Sequence, residues 1–468
     1  MRHTTAVLIA ALLATAFAAS SGAAAESRAF VFETDYSTGS LSIHDLAPRA
    51  AHCDLVSVNS DASLRFYGGL LYVVNRLGGD NVQVVDPATH ATLHQFSVGN
   101  GSNPHDIAFA SPTKAYVTRY DETDLWIVNP VTGAHTGTIA LAGLSDSDGN
   151  PEMDRMMMVG PLLFVSLERV DRNLFYSPVD TALVAVVDTR ADTLVDCDPS
   201  RPGMQAIALQ LKNPFTTFQF DPATSRLLIG CVGNFGVLDG GVERVDPVNL
   251  RSDGVVIGEA ALGGDVDDVT WGDAAKSWAI VADAGGNTKL VSWSADSAKV
   301  LHTLWAPGGY VLTDAERNDR GEIWACDASS FTPALRVFST ATDLAIGADI
   351  VCALPPTSLT FDAESAQVGT VPAAGPPALA FAPSAPNPAH GPARMAFTLA
   401  RGSHVRLDVL DAQGRRVRTL TDGEWAAGPA SLTWDLRDEG GRAVAPGLYF
   451  ARMAAGGESL TRRVIVLR

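Results

Sequence analysis

The residues of this chain that can do chemistry gather at the edges of short apolar runs. Asp61, His105-Asp106, Asp154 and Asp267-Asp268 stand where such runs begin, and Glu33, Arg76, Arg119, Arg169 and Asp283 stand where others end. Carboxylate oxygens converging on one rim suit a hard cation such as calcium, which takes six to eight of them. A metal held by Asp106, Asp154 and Asp268, with His105 as base, would lower the pKa of a bound water and run hydrolysis or elimination. Arg76 and Arg119 suggest a competing use, because guanidinium groups grip anions bidentately. A second candidate is Asp146-Ser147-Asp148-Gly149-Asn150-Pro151-Glu152, whose alternating Asp146, Asp148, Asn150 and Glu152 form an oxygen-rich calcium-type loop. The EF-hand pattern is not met, since the glycine precedes the third ligand position and Met157 stands at the twelfth. Asp and Asn at strand ends also bond their own backbone to make turns, and that reading competes at every one of these positions. G-x-S-x-G, HExxH and phosphate-cradling glycine loops are missing from the sequence, so serine-esterase, zinc-protease and nucleotide chemistry lack their usual signatures.

The runs that would position these residues repeat. Leu71 to Asn75 followed by Asn81 to Pro87 is answered by Ala115 to Arg119 followed by Leu125 to Pro130. Looser copies open at Phe30, Phe164, Leu228, Trp278 and Ile323, at steps close to the roughly 40–50 residues of propeller blades. Six copies are preceded by a further strand candidate, such as Leu64 to Phe66 or Ile107 to Phe109. The first copy lacks one, and an orphan segment, Pro356 to Phe361, follows the seventh. The spacing therefore predicts an all-β fold: a seven-bladed β-propeller over 26–362, closed by pairing its two ends, so that no open sheet edge remains. Antiparallel neighbours place first-strand starts and second-strand ends on one face, which makes the listed residues the propeller mouth.

Bulk properties narrow the partners. A net charge of −18 excludes a basic nucleic-acid-binding surface. Residues 1–25 carry the charged, apolar and small-residue regions of a secretory signal, and no later segment is long enough to span a membrane. Cys53, Cys197, Cys231, Cys326 and Cys352 lack CxxC spacing and are expected to be structural or inert. A Pro/Ala/Gly-rich linker is expected over 363–382, and alternating segments after it predict a small immunoglobulin-like β-sandwich over 383–468.

Leu71 to Asn75, Asp86-Pro87-Ala88-Thr89 and Asn103 to Ala108 resemble the YVTN-type, WD40-like bacterial propellers over 30–362, with departures around Asp171 to Pro178 and Phe235 to Gly241. That resemblance implies a surface or periplasmic binding protein. Pro386-Asn387-Pro388, Asp411 to Arg415, Thr433-Trp434-Asp435 and Pro446 to Phe450 resemble the immunoglobulin-like domain of flagellar hook-capping (FlgD) proteins and the type A sorting domain of type IX secretion. It implies an address read by outer-membrane export machinery, with no catalysis of its own.

The expectation is a secreted or cell-surface propeller that binds a protein, glycan or small molecule at its mouth, with Asp61, Arg76, His105, Asp106, Arg119, Asp154 and Asp268 as ligand contacts. The alternatives are a metal-dependent hydrolase or lyase at the same mouth, and a rigid spacer with no ligand.

Overall fold

The computed structural model describes residues 27–178, 181–362, 379–381, 387–399, 402–425, 428–455 and 458–467. The signal-like segment 1–25 and most of the linker lie outside the described residues. The chain divides into two units, Met1–Gly369 and Thr370–Arg468.

Among the described residues the first unit holds seven sheets of four antiparallel strands, six of them sequential in the chain, with one sheet carrying an extra short strand. Blade two shows why the sequence folds this way. Its second strand, Leu70–Asn75, is apolar on both faces and buried nearly throughout, because other blades cover both sides. Its outermost strand, Ala91–Ser97, keeps only Phe96 buried. Between blades two and three Tyr72, Val74, Phe96, Ile107, Phe109 and Val117 form a continuous apolar layer, and equivalent layers lie between other neighbouring blades. The repeated Asp-Pro and Asn-Pro steps are side-chain turns: Asp86 accepts from the Ala88 amide at 2.8 Å and Asn129 from the Val131 amide at 3.0 Å.

The ring closes where the orphan segment suggested. Pro356–Phe361 is the innermost strand of blade one and pairs antiparallel with Arg28–Thr34, Phe361 opposite Ala29 and Thr360 opposite Phe30. Asp362 then caps the junction, accepting from the Ser27 amide at 2.7 Å and the Ser27 hydroxyl at 2.5 Å. Phe361 packs edge-on against Trp324 of blade seven, so the closing strand is held by packing as well as pairing.

The innermost strands share a local irregularity that shapes the site. Register shifts fall between Pro104 and Ile107, Met153 and Met156, Val266 and Asp268, and Leu312 and Ala315. An extra residue re-aims the side chains beside it, here acidic ones.

The second unit is a two-sheet sandwich, three strands facing four, around Phe397, Leu407, Val409, Trp434 and Met453. Leu379–Phe381, expected as linker, is its edge strand, paired with Ala393–Leu399, because Phe381 is buried in this core. The motif residues serve folding: Asn387 brackets the last strand, donating to the Arg463 carbonyl and accepting from the Ile465 amide, and Tyr449 donates to the Ala445 carbonyl. Among the described residues no helix is long and apolar enough to cross a membrane.

Candidate functional site

The central channel opens on the expected face into a cavity of about 310 Å³. Asp61, Arg76, Arg155, Asp267, Asp268 and Asp314 line it, with Tyr36 and Tyr310 at its entrance. Four of its lining groups hold buried polar atoms that make no hydrogen bond: Arg76 Nε, Arg155 Nε, Asp267 Oδ2 and Thr313 Oγ1. The two guanidinium nitrogens are held only by ion pairs, Arg76 Nε to Asp61 at 3.6 Å and Arg155 Nε to Asp154 at 3.3 Å, while the Asp267 oxygen and the Thr313 hydroxyl are unspent. Tyr310 donates to the other Asp267 oxygen at 3.1 Å, and burial pushes the Asp267 pKa up to about 7. Tyr36 is 78% exposed and Tyr310 56%. The connections after the second strands of several blades, on this same face, also present Leu77, Phe175, Phe235 and Phe331 to solvent.

His105 sits one layer beneath. Arg76 donates to its Nε2 at 2.9 Å, and because guanidinium has no acceptor, the ring proton must be on Nδ1, which donates to Asp154 at 2.7 Å. Burial, then the Arg76 charge, lowers the His105 pKa to about 3. Against its own burial, Asp154 is held below the usual carboxylate range by Arg155, His105 and Arg76. The imidazole stacks on Tyr120, whose hydroxyl donates to Glu168 at 2.6 Å. With Nε2 occupied and protonation opposed, His105 is not poised as the general base that its sequence neighbourhood suggested.

The acidic residues expected to ring the mouth mostly join blades instead. Asp106 receives Arg65 of blade two bidentately at 2.7 and 2.8 Å, and also the Met156 amide of blade four at 2.8 Å. Asp268 accepts from the Ala315 amide of blade seven at 2.9 Å, and Asp314 from the Leu359 amide of blade one at 2.7 Å. This is one device used three times, a carboxylate beside an inner-strand irregularity reaching an amide of the following blade. Burial and the nearby Asp314 hold the Asp268 pKa well above its usual value. Arg119 likewise faces structure rather than cavity, donating to the Val98 carbonyl and Asp124 and lying 4.4 Å from the Trp126 ring centroid.

The loop entering blade four does gather its acids. Ligand oxygens of Asp146, Asp148 and Glu152 lie within 4.8 Å of one another, and Asp146 Oδ2 and Asn150 Oδ1 make no hydrogen bond. Glu152 is fully buried, and that burial, with Asp148 next, pushes its pKa up to about 8. Arg172, from the Asp171 to Pro178 departure, donates to Glu152 at 3.1 Å and contacts Asp121 at 2.9 Å. The site thus carries three acids against two guanidiniums, Arg172 on Glu152 and Arg169 near Asp146, in a donor set of oxygens only.

Of the expected contacts, Asp61, Arg76 and Asp268 line the cavity, His105 and Asp154 support it from behind, and Asp106 and Arg119 do not reach it. Sequence reasoning passed over Arg155, Tyr36 and Tyr310. Tyr310 had a signal, an aromatic after Gly308-Gly309 in the loop entering an inner strand. Arg155 had none, since its use depends on the register shift between Met153 and Met156.

The FlgD Ig-like domain family matches residues 387–459. No curated protein sequence matches the chain. Among solved structures, similarity is found to dihydro-heme d1 dehydrogenase NirN in complex with DHE, at 12% identity over 72% of this chain and 68% of that one, with a TM-score of 0.45. Hydrazine synthase of Kuenenia stuttgartiensis is similar at 12% identity over 64% and 78%, with a TM-score of 0.39. A functionally unknown protein of Desulfotomaculum acetoxidans DSM 771 is similar at 11% identity over 72% and 98%, with a TM-score of 0.46. At these values none of the three bears on activity, and the propeller assignment rests on the order of the sheets themselves.

Proposed function

We propose that this chain is an exported recognition protein whose propeller mouth binds a polyhydroxylated ligand, a glycan, and whose C-terminal domain is read by outer-membrane export machinery. The observation that carries the binding reading is the convergence on one cavity of Arg76 and Arg155, whose Nε groups make ion pairs but no hydrogen bond, with the unbonded Asp267 Oδ2 and Thr313 Oγ1. Sugar hydroxyls both donate and accept, which matches this mixed set, and the rings of Tyr36 and Tyr310 offer apolar faces for the C–H side of a pyranose. The hydrolytic alternative has less support, because Asp106, Asp154 and Asp268 are engaged by amides, Arg65 and His105. Export rests on the signal-like residues 1–25 and the FlgD Ig-like match. A glycan array followed by calorimetry on the full chain tests the binding. Tyr36→Ala and Tyr310→Ala should each weaken binding by about tenfold, the worth of an aromatic contact of ~1–1.5 kcal/mol. No glycan bound, or affinities unchanged in both variants, would overturn the reading.

The oxygen-only set of Asp146, Asp148, Asn150 and Glu152 supports calcium as a structural ion in the blade-four loop, bracing the mouth. Its alternative is Arg172 and Arg169 as the balancing charges.

A further inference from the structure

Blade one holds a group of chemically capable side chains far from any motif. Glu33, on the strand Arg28–Thr34, His44, on Gly39–Leu46, and Cys53, on Arg49–Val58, have ligand atoms within 4.8 Å of one another. They sit on three adjacent strands of one sheet, distant in sequence and joined only by the pairing. Glu33 and His44 are both 0% exposed. Neither nitrogen of His44 has a hydrogen-bond partner, and Glu33 Oε1 has none either. A buried imidazole with both nitrogens unsatisfied costs several kcal/mol unless something fills the need. Among the described residues nothing fills it.

We propose that Glu33, His44 and Cys53 bind a transition-metal ion of the zinc class, which staples the ring at its closure. Thiolate, imidazole and carboxylate together are the donors of zinc and its borderline neighbours, and unlike the blade-four loop they are a poor set for calcium. The Cys352 thiol, also buried, interacts with both Glu33 and Cys53 and is the nearest candidate for a fourth ligand. The position explains what such an ion would do. The Leu354 amide donates to Glu33 Oε2 at 3.0 Å, so the cluster ties all three outer strands of blade one to the segment leading from blade seven into the closing strand.

The test is titration of the reduced, metal-free full chain with Co²⁺ and then Zn²⁺. One equivalent of Co²⁺ should produce a thiolate-to-cobalt charge-transfer band that Zn²⁺ abolishes, and Zn²⁺ should raise the melting temperature. Cys53→Ser, at a partly exposed position that tolerates change, should lower the band by at least half, abolishing it where Cys352 does not ligate, and bind Zn²⁺ at least tenfold more weakly. His44→Leu should lose the thermal response to Zn²⁺. Absence of the band in the unaltered chain, or a band of undiminished intensity in Cys53→Ser, would overturn the proposal. So would mass-spectrometric detection of a Cys53–Cys352 disulfide as the native state with no metal bound, which would make this corner a covalent staple. A Zn²⁺ response equal in the unaltered chain and His44→Leu would count against it equally.

Discussion

If Asp106 is a joint between blades rather than a ligand contact, its removal should cost stability in an amount set by Arg65. The Asp106 carboxylate is 1% exposed and accepts both arms of Arg65, the Met156 amide and the Ile107 amide. Asp106→Asn keeps the shape but replaces one oxygen by a donor that faces guanidinium, leaving a largely buried cation with only the more distant charges of Glu316 and Asp154. Breaking such a pair from one side costs about 3–5 kcal/mol. The melting shift per kcal/mol shrinks with chain length, to about 1–2 °C for a unit of this size, so the variant should melt roughly 3–10 °C lower. In an Arg65→Met background the same change should cost about 1.5–3 kcal/mol less, the coupling expected of residues in direct contact. Asp268→Asn is the internal control. Burial and Asp314 raise the Asp268 pKa, so its charge is already disfavoured, and no arginine grips it bidentately; an amide can keep the Ala315 contact for under about 1 kcal/mol. Urea unfolding of the four variants, followed by tryptophan fluorescence, measures these differences. Equal costs for Asp106→Asn and Asp268→Asn, or an Asp106→Asn cost independent of Arg65, would refute the reasoning.

Ending the chain before Pro356 strips the inner strand from blade one and exposes the edge of Arg28–Thr34, so size-exclusion chromatography should show aggregate in place of monomer. The milder Phe361→Ala, which removes a buried ring packed on Trp324, should cost about 3–5 kcal/mol in chemical denaturation. Burial raises Asp314 to about 6, Glu259 and Asp267 to about 7, and Glu152 to about 8. Each keeps in the folded state a proton that the unfolded chain releases above its ordinary carboxylate pKa. Stability should therefore fall as pH rises from about 5 to 8, and a melting temperature that climbs across that window would contradict it. Calcium should raise the melting temperature and Asp146→Asn should abolish the rise; because Glu152 must give up its proton to ligate, the calcium effect should grow between pH 7 and pH 9.

Repetition made the scaffold legible. A propeller blade buries both faces of its middle strands, so Leu71 to Val74 and its copies read as apolar runs, and period and turn residues are local properties that survive in a one-dimensional string. The orphan Pro356 to Phe361 pointed to the closure for the same reason, being a strand without a hairpin. The acidic loop before blade four was equally visible, since its donors are neighbours in the chain.

What each acid does was not legible, because it depends on distances across the ring. Asp106 and Asp268 look alike in sequence, yet one meets Arg65 from another blade and the other meets Asp314. Glu33, His44 and Cys53 carry no motif spacing and met only when three strands were laid side by side. Composition and period are local and determined the seven blades, the sandwich and the face that bears polar residues. Burial and partnership are non-local, and only the closed ring decided which of those residues became joints, which were left with unspent hydrogen bonds around the channel, and which came within ligating distance.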